Sequence, residues 1–223
     1  MKNKRGLCWM TMGIALILAA LSLVLFNLYQ DKENGLVASG YLSQLQKQIP
    51  ETSDKDDKNS SVKGDSLLDE YISSSQDQII GEENVKIIDS LEFIGYVTIP
   101  KLDIELPVLS EWSYDNLKVS PCRYSGSALS GDLIIAAHNY NSHFGRIGDL
   151  NSGDLIYFTD CSGTVRQYEV VQSELIDGYN VSAMNSGDSE WDLTLFTCTW
   201  SGANRVTVRA SEIKDEPKTF RNT

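Results

Sequence analysis

The chain has 223 residues, of which 41% are hydrophobic and 22% charged, and its 31 acidic against 19 basic side chains leave a formal net charge of -12. The apolar share is enough for a core, which excludes a wholly disordered chain, and the acidic surface repels phosphate backbones. No cluster of Lys and Arg interleaved with aromatics reverses this, so nucleic acid is excluded as a partner. Four cysteines, none in a CxxC pair or at zinc-ligand spacing with histidine, exclude a disulfide-built scaffold and a structural zinc site.

Residues 7–28 are nearly all apolar and uncharged, and Lys2, Lys4 and Arg5 precede them. A helix rising 1.5 Å per residue needs roughly 20 apolar residues to cross a bilayer core, whereas the apolar region of a secretory signal is about 7–15 long. Length therefore favours an uncleaved transmembrane anchor over a cleaved signal peptide, small though Ala19 and Ala20 are. The positive flank sets the N-terminus in the cytoplasm and the chain after Tyr29 on the outer face. Residues 1–29 are thus expected to be a cytoplasmic tip and anchor.

From residue 30 to 90 the composition turns to Asp, Glu, Lys, Ser, Asn and Gln, and residues 54–61 are almost wholly polar or charged. Such a segment buries too little apolar surface to offset its ordering entropy, and it is expected to be an extracellular, partly helical stalk. Helices are predicted within it at residues 36–49 and 67–80.

Over residues 91–223 short apolar runs alternate with turn signals, the pattern of an all-β domain. Strands are predicted at residues 95–99, 104–109, 133–138, 155–159, 165–175, 193–198 and 205–210, with short helices at 114–118 and 145–150. Seven strands suggest a barrel or a sandwich. The string Ser-Gly-Asp-Leu-Ile occurs at 130–134 and again at 152–156, but its flanks differ and Gly-Asp before a strand is common turn chemistry.

Two histidines occur in the chain, and His138 ends the run Leu133-Ile134-Ile135-Ala136-Ala137. A titratable ring at the mouth of a buried strand is placed for proton transfer, although a lone histidine there more often caps a strand. Cys198 likewise ends Leu193-Thr194-Leu195-Phe196-Thr197, where a single cysteine is ordinarily a buried hydrophobe. The compartment changes those odds. With Cys8 in the span, Cys122, Cys161 and Cys198 face an oxidising exterior, and at most two of the three can pair. A retained external thiol points to use. Whether Cys122 and Cys161 are bridged stays open, because a bridge depends on geometry. Arg205 follows Cys198 by seven residues and opens the next strand, so a short antiparallel turn puts both in one cleft, where a guanidinium favours a thiolate or an oxyanion. Arg209, on the same strand face by period two, is its competitor.

Thr194-Leu195-Phe196-Thr197-Cys198, followed by an arginine opening an apolar strand and preceded by a histidine ending another, resembles the sortases over residues 93–213. The resemblance implies an all-β fold, a closed barrel of about eight strands with short helices, after an N-terminal transmembrane helix. It implies a membrane-anchored cysteine transpeptidase of Gram-positive surfaces, with Cys198 as nucleophile, His138 as general acid and base, and Arg205 as the group that positions substrate and stabilises the oxyanion. The Thr197 hydroxyl would help arrange the site. The implied partners are an LPxTG-like sorting signal, acylated onto Cys198 as a thioester, and an amine acceptor on a cell-wall precursor or a pilin. No metal or organic cofactor is implied.

Three departures bear on subclass and ligands. Ala137 stands where the family usually has glycine. The short segment 171–191 disfavours the class B insertion, and no Asp-Pro-aromatic lid precedes His138, which disfavours lidded class C. Asp177, Asp188 and Glu190 lie in predicted loops, where some sortases hold calcium, but form no recognisable ligand loop. His143 and Phe144 are close enough to touch substrate, with a solvent-exposed loop the expectation for His143. A papain-like protease is disfavoured because its cysteine precedes its histidine. An anchored β-domain that only binds a partner, with Cys198 buried, is the non-enzymatic alternative.

Overall fold

The computed structural model describes residues 3–50, 84–184 and 191–214. The predicted helix at 67–80, the polar run at 54–61, and Asp188 and Glu190 lie outside the described residues. One helix, α1 (Asn3–Gln48), runs through the apolar span and continues past residue 29 without a break. Nothing in that stretch forbids helix, since no proline occurs before Pro50, and Pro50 restricts the residue before it to extended backbone. None of the most apolar stretch of α1 is buried in the protein. Beyond it Ala38, Leu42, Leu45 and Ile49 recur at the four-three-four spacing of one helix face, and all four are buried. Burying each of the three larger side chains contributes roughly 1.5–3 kcal/mol, which ties this end of α1 to the β-domain.

Nine strands follow among the described residues: β1 (Lys86–Ile88), β2 (Leu91–Ile99), β3 (Ile104–Leu109), β4 (Cys122–Ser125), β5 (Leu133–Ala137), β6 (Leu155–Asp160), β7 (Val165–Asp177), β8 (Leu193–Cys198) and β9 (Asn204–Glu212). Their order is β1-β2-β3-β4-β5-β8-β9-β7-β6, and a further β2–β6 pairing closes strands β2 to β9 into an eight-stranded barrel. Strand β1 lies outside the closure, as a short hairpin partner of β2. Most pairs are antiparallel, but β3 runs parallel to β4 and β5 runs parallel to β8, so β5 and β8 both end at the same rim. Short helices α2 (Tyr114–Val119) and α3 (Val181–Met184) and a 3-10 turn at Ile147–Asp149 fill the connections. Ser113 caps α2 by accepting the Asn116 amide.

Alternation along the strands sorts side chains onto two faces. Leu133, Ile135, Leu193, Leu195, Val208 and Ala210 belong to one buried cluster, which fills the barrel. Ile134, Ala136 and Phe196 belong to a second, together with Leu45 and Ile49 from the α1 end and Leu117 of α2, so this cluster lies between the barrel's outside and the helices. Gly95 is needed where β2 bulges. Its φ of +149° and the Thr159 carbonyl oxygen, 2.1 Å from where a Cβ would sit, both exclude a side chain.

Candidate active site

The rim at the ends of β5 and β8 gathers the sequence-predicted residues. Ala137 of β5 pairs with Thr197 of β8, so His138 follows on one strand where Cys198 follows on its neighbour. Cys198 in turn pairs directly with Arg205 of β9. His138, Cys198 and Arg205 therefore stand on three adjacent strands, and by alternation each shares the outer face with Ile134, Phe196 and Thr207, not the packed interior. Cys198 is exposed and free of any disulfide. That exposure removes the support for Cys198 as a merely buried thiol.

Thr197 points the other way, into the barrel. Its buried hydroxyl donates to the Ala137 carbonyl at 2.8 Å and so ties the strand bearing the thiol to the peptide that precedes His138. His138 is half-buried, its ring 5.1 Å from that of Tyr140. Burial, and then the positive charge of Lys118, hold its imidazole below the usual range, so at neutral pH the ring is mainly uncharged and able to accept a proton. The Phe144 amide donates to the His138 carbonyl, and the His143 and Gly145 amides both donate to the Tyr140 carbonyl, which coils the following loop tightly.

Arg205 is held by the turn it follows, its Nη1 donating to the carbonyls of Gly202 at 2.9 Å and Asn204 at 3.2 Å. Gly178, at the end of β7, lets that turn close. A Cβ there would lie 2.7 Å from the Ala203 carbonyl oxygen and 3.0 Å from Arg205 Nη1, while the Gly178 amide donates to that same carbonyl. Arg209 has different surroundings. It is 3% exposed and donates to Thr194 Oγ1 at 2.9 Å, to Glu174 at 3.2 Å and to the Ala183 carbonyl, so its guanidinium fastens α3 to the barrel wall.

Two features at this rim escaped sequence reasoning. His143 is fully buried, not a solvent-exposed loop residue, and Phe144 beside it is buried as well. The second is Asp31 of α1, whose carboxylate accepts from the Ser142 amide at 2.9 Å and from the Ser142 hydroxyl at 2.7 Å. No local pattern marks a contact across 111 positions. Cys122 and Cys161 are both buried and unbridged, and burial pushes the Cys122 thiol up to about 12, which leaves it inert. Asp177 accepts the Tyr179 amide and is one of no metal-holding cluster among the described residues.

Comparison with known proteins bears on the family and the fold. The sortase-domain family model matches residues 97–213. Sortase D of Bacillus subtilis is 27% identical over 107 residues, a match that covers 47% of this chain and about half, 53%, of that protein. Among solved structures, sortase C1 of GBS Pilus Island 1 superposes with a TM-score of 0.51 at 20% identity, over 87% of this chain and 88% of that one. A sortase D5 transpeptidase of Clostridium perfringens superposes at 0.49 with 22% identity, over 66% and 90%. The overall fold is like that of the sortase C1 structure, and with a family model spanning more than half its length the chain belongs to the sortase family.

Proposed function

We propose that the protein is a membrane-anchored cysteine transpeptidase in which Cys198 attacks the carbonyl of a sorting-signal peptide bond of the LPxTG kind. The single observation that carries this reading is the register that sets His138, Cys198 and Arg205 side by side at one rim, with the thiol exposed. His138, largely neutral at rest, accepts the thiol proton as sulfur adds to the carbonyl. The Arg205 guanidinium stabilises the oxyanion that forms. The resulting imidazolium then protonates the leaving amine, the C–N bond breaks, and a thioester remains on Cys198. An acceptor amine adds to the thioester, gives its proton back to His138, and expels the thiolate, so one amide is exchanged for another. Thr197 holds the two strands in register while this happens.

Helix α1 supports the anchored reading, with an apolar stretch of mean hydropathy 2.3 near the N-terminus and basic residues before it. The cytoplasmic N-terminus and the external barrel follow from that charge asymmetry. On this reading residues 1–29 are the anchor, 30–90 the connecting segment, and 91–223 the catalytic domain. The acceptor is an amine on a cell-wall precursor or a pilin.

The test is mass spectrometry of the full-length protein in detergent, incubated with sorting peptides. A thioester adduct on Cys198 is expected for the wild type, and Cys198→Ala is expected to lose both adduct and joined product with an unchanged circular dichroism spectrum. Full transfer by Cys198→Ala overturns the assignment.

A further inference from the structure

Residues 7–28 rise about 33 Å at 1.5 Å per residue, close to the roughly 30 Å of a bilayer's hydrocarbon core. Leu28 then sits at the outer boundary of that core. Val24, Asn27, Leu28 and Asp31 project from one face of α1 and line a cleft of about 410 Å³, whose opposite wall is Asn139, Tyr140, Asn141 and Trp200. The loop that follows His138 and the turn that follows Cys198 thus share a cleft with the last turn of the apolar span. Their depth is set by α1, which is continuous from the span to the barrel and holds the loop through Asp31 and Ser142.

Trp200 lies two residues beyond Cys198 and is 87% exposed, so no protein packing accounts for its indole. Tyr29, at the matching level of α1, is exposed as well. Amphipathic rings of this kind are favoured at the membrane interface, where an apolar body and a polar tip are both accommodated. Asn27, Asn139 and Asn141 add amide groups able to bond headgroup oxygens.

We propose that the Trp200 turn and the Tyr140 loop insert into the outer headgroup layer of the bilayer that α1 spans, so that the mouth beside Cys198 opens along the membrane surface. The partner of this face is the phospholipid interface itself. Substrate and acceptor then meet the thiol from the plane of the membrane, not from bulk solvent. The inference rests on the anchored reading given above, and the experiment separates the two.

Full-length protein is reconstituted in phosphatidylcholine and phosphatidylglycerol vesicles whose acyl chains are brominated near the carbonyl end or near the methyl end. Bromine quenches indole on contact, and difference spectra against Trp9→Phe and Trp200→Phe isolate the emission of each residue. Trp9, near the start of the span, reports anchoring. The expected result is that Trp200 emission lies at shorter wavelength than that of an indole in water and is lost more with bromine near the carbonyl end than near the methyl end. Quenching of Trp9 without quenching of Trp200 overturns the interfacial site and leaves the anchor intact. Absence of quenching at both positions overturns the anchor and the inference with it.

Discussion

Arg205 and Arg209 sit four residues apart on one face of β9, and the fold gives them different surroundings. Arg209 is buried and shares three partners among β7, β8 and α3, whereas Arg205 is half-exposed and bonded to turn carbonyls beside Cys198. A lysine ammonium cannot reproduce the planar fork at either site, but the losses differ in kind. Arg209→Lys is expected to leave buried acceptors unmet and to lower stability by about 1–3 kcal/mol, read as a fall in denaturation midpoint. Arg205→Lys is expected to leave that midpoint unchanged and to lower kcat/KM for peptide transfer. A loss of turnover confined to Arg209→Lys, at unchanged stability, would reverse the assignment. Both arginines are visible in the sequence as competitors. Their different surroundings are not, because the partners of Arg209 lie up to 35 positions away.

Helix α1 is the element whose reach the sequence understates. Asp31, Lys32 and Glu33 read as the end of an apolar span, yet charged residues of this kind are good or tolerable helix formers, and the helix runs through them to dock by its 38-42-45-49 stripe. Strands with a clear apolar run were legible: the predicted 104–109 and 193–198 coincide with β3 and β8, and the others differ at their ends by a few residues. Strand β4 was not. Its four residues, Cys-Arg-Tyr-Ser, alternate apolar with polar but form too short a run, with no continuous apolar stretch, to stand out, and it is the eighth strand without which the barrel stays open. The contact of α1 with the loop after His138 yields its own test. Asp31→Ala removes a charge-assisted acceptor from the Ser142 amide and hydroxyl, so amide exchange at residues 139–145 is expected to quicken about tenfold, as a loss of roughly 1.4 kcal/mol dictates. Exchange in β8 and β9 is expected to stay as it was. Uniform acceleration through the barrel would mean that Asp31 supports the whole fold instead of this loop.

At the scale of the molecule, barrel and helix α1 meet over a buried histidine, and this is expected to make their union sensitive to acid. His143 is fully buried, its ring 5.7 Å from that of Tyr140, and neither nitrogen has a hydrogen-bond partner of ordinary geometry. Burial, and then the charge of His138, push its imidazole down to about 4, against the opposing pull of Asp31 and of the α1 backbone at Asn34. In the unfolded chain the same ring titrates near 6.5. A depressed folded value means that the unfolded state binds the proton more readily, so stability is whole above pH 6.5 and drains away as pH falls from there towards 4. The gap corresponds to about 3 kcal/mol at its full extent. Urea denaturation between pH 7.5 and pH 4 is expected to show the wild type losing more stability than His143→Phe, which carries no proton into the interface. Carboxylates titrate alike in both proteins, so the difference between the two curves isolates the histidine. Parallel curves would mean that His143 is protonated as easily in the folded protein as in the unfolded chain, and that the junction of helix and barrel is indifferent to acid.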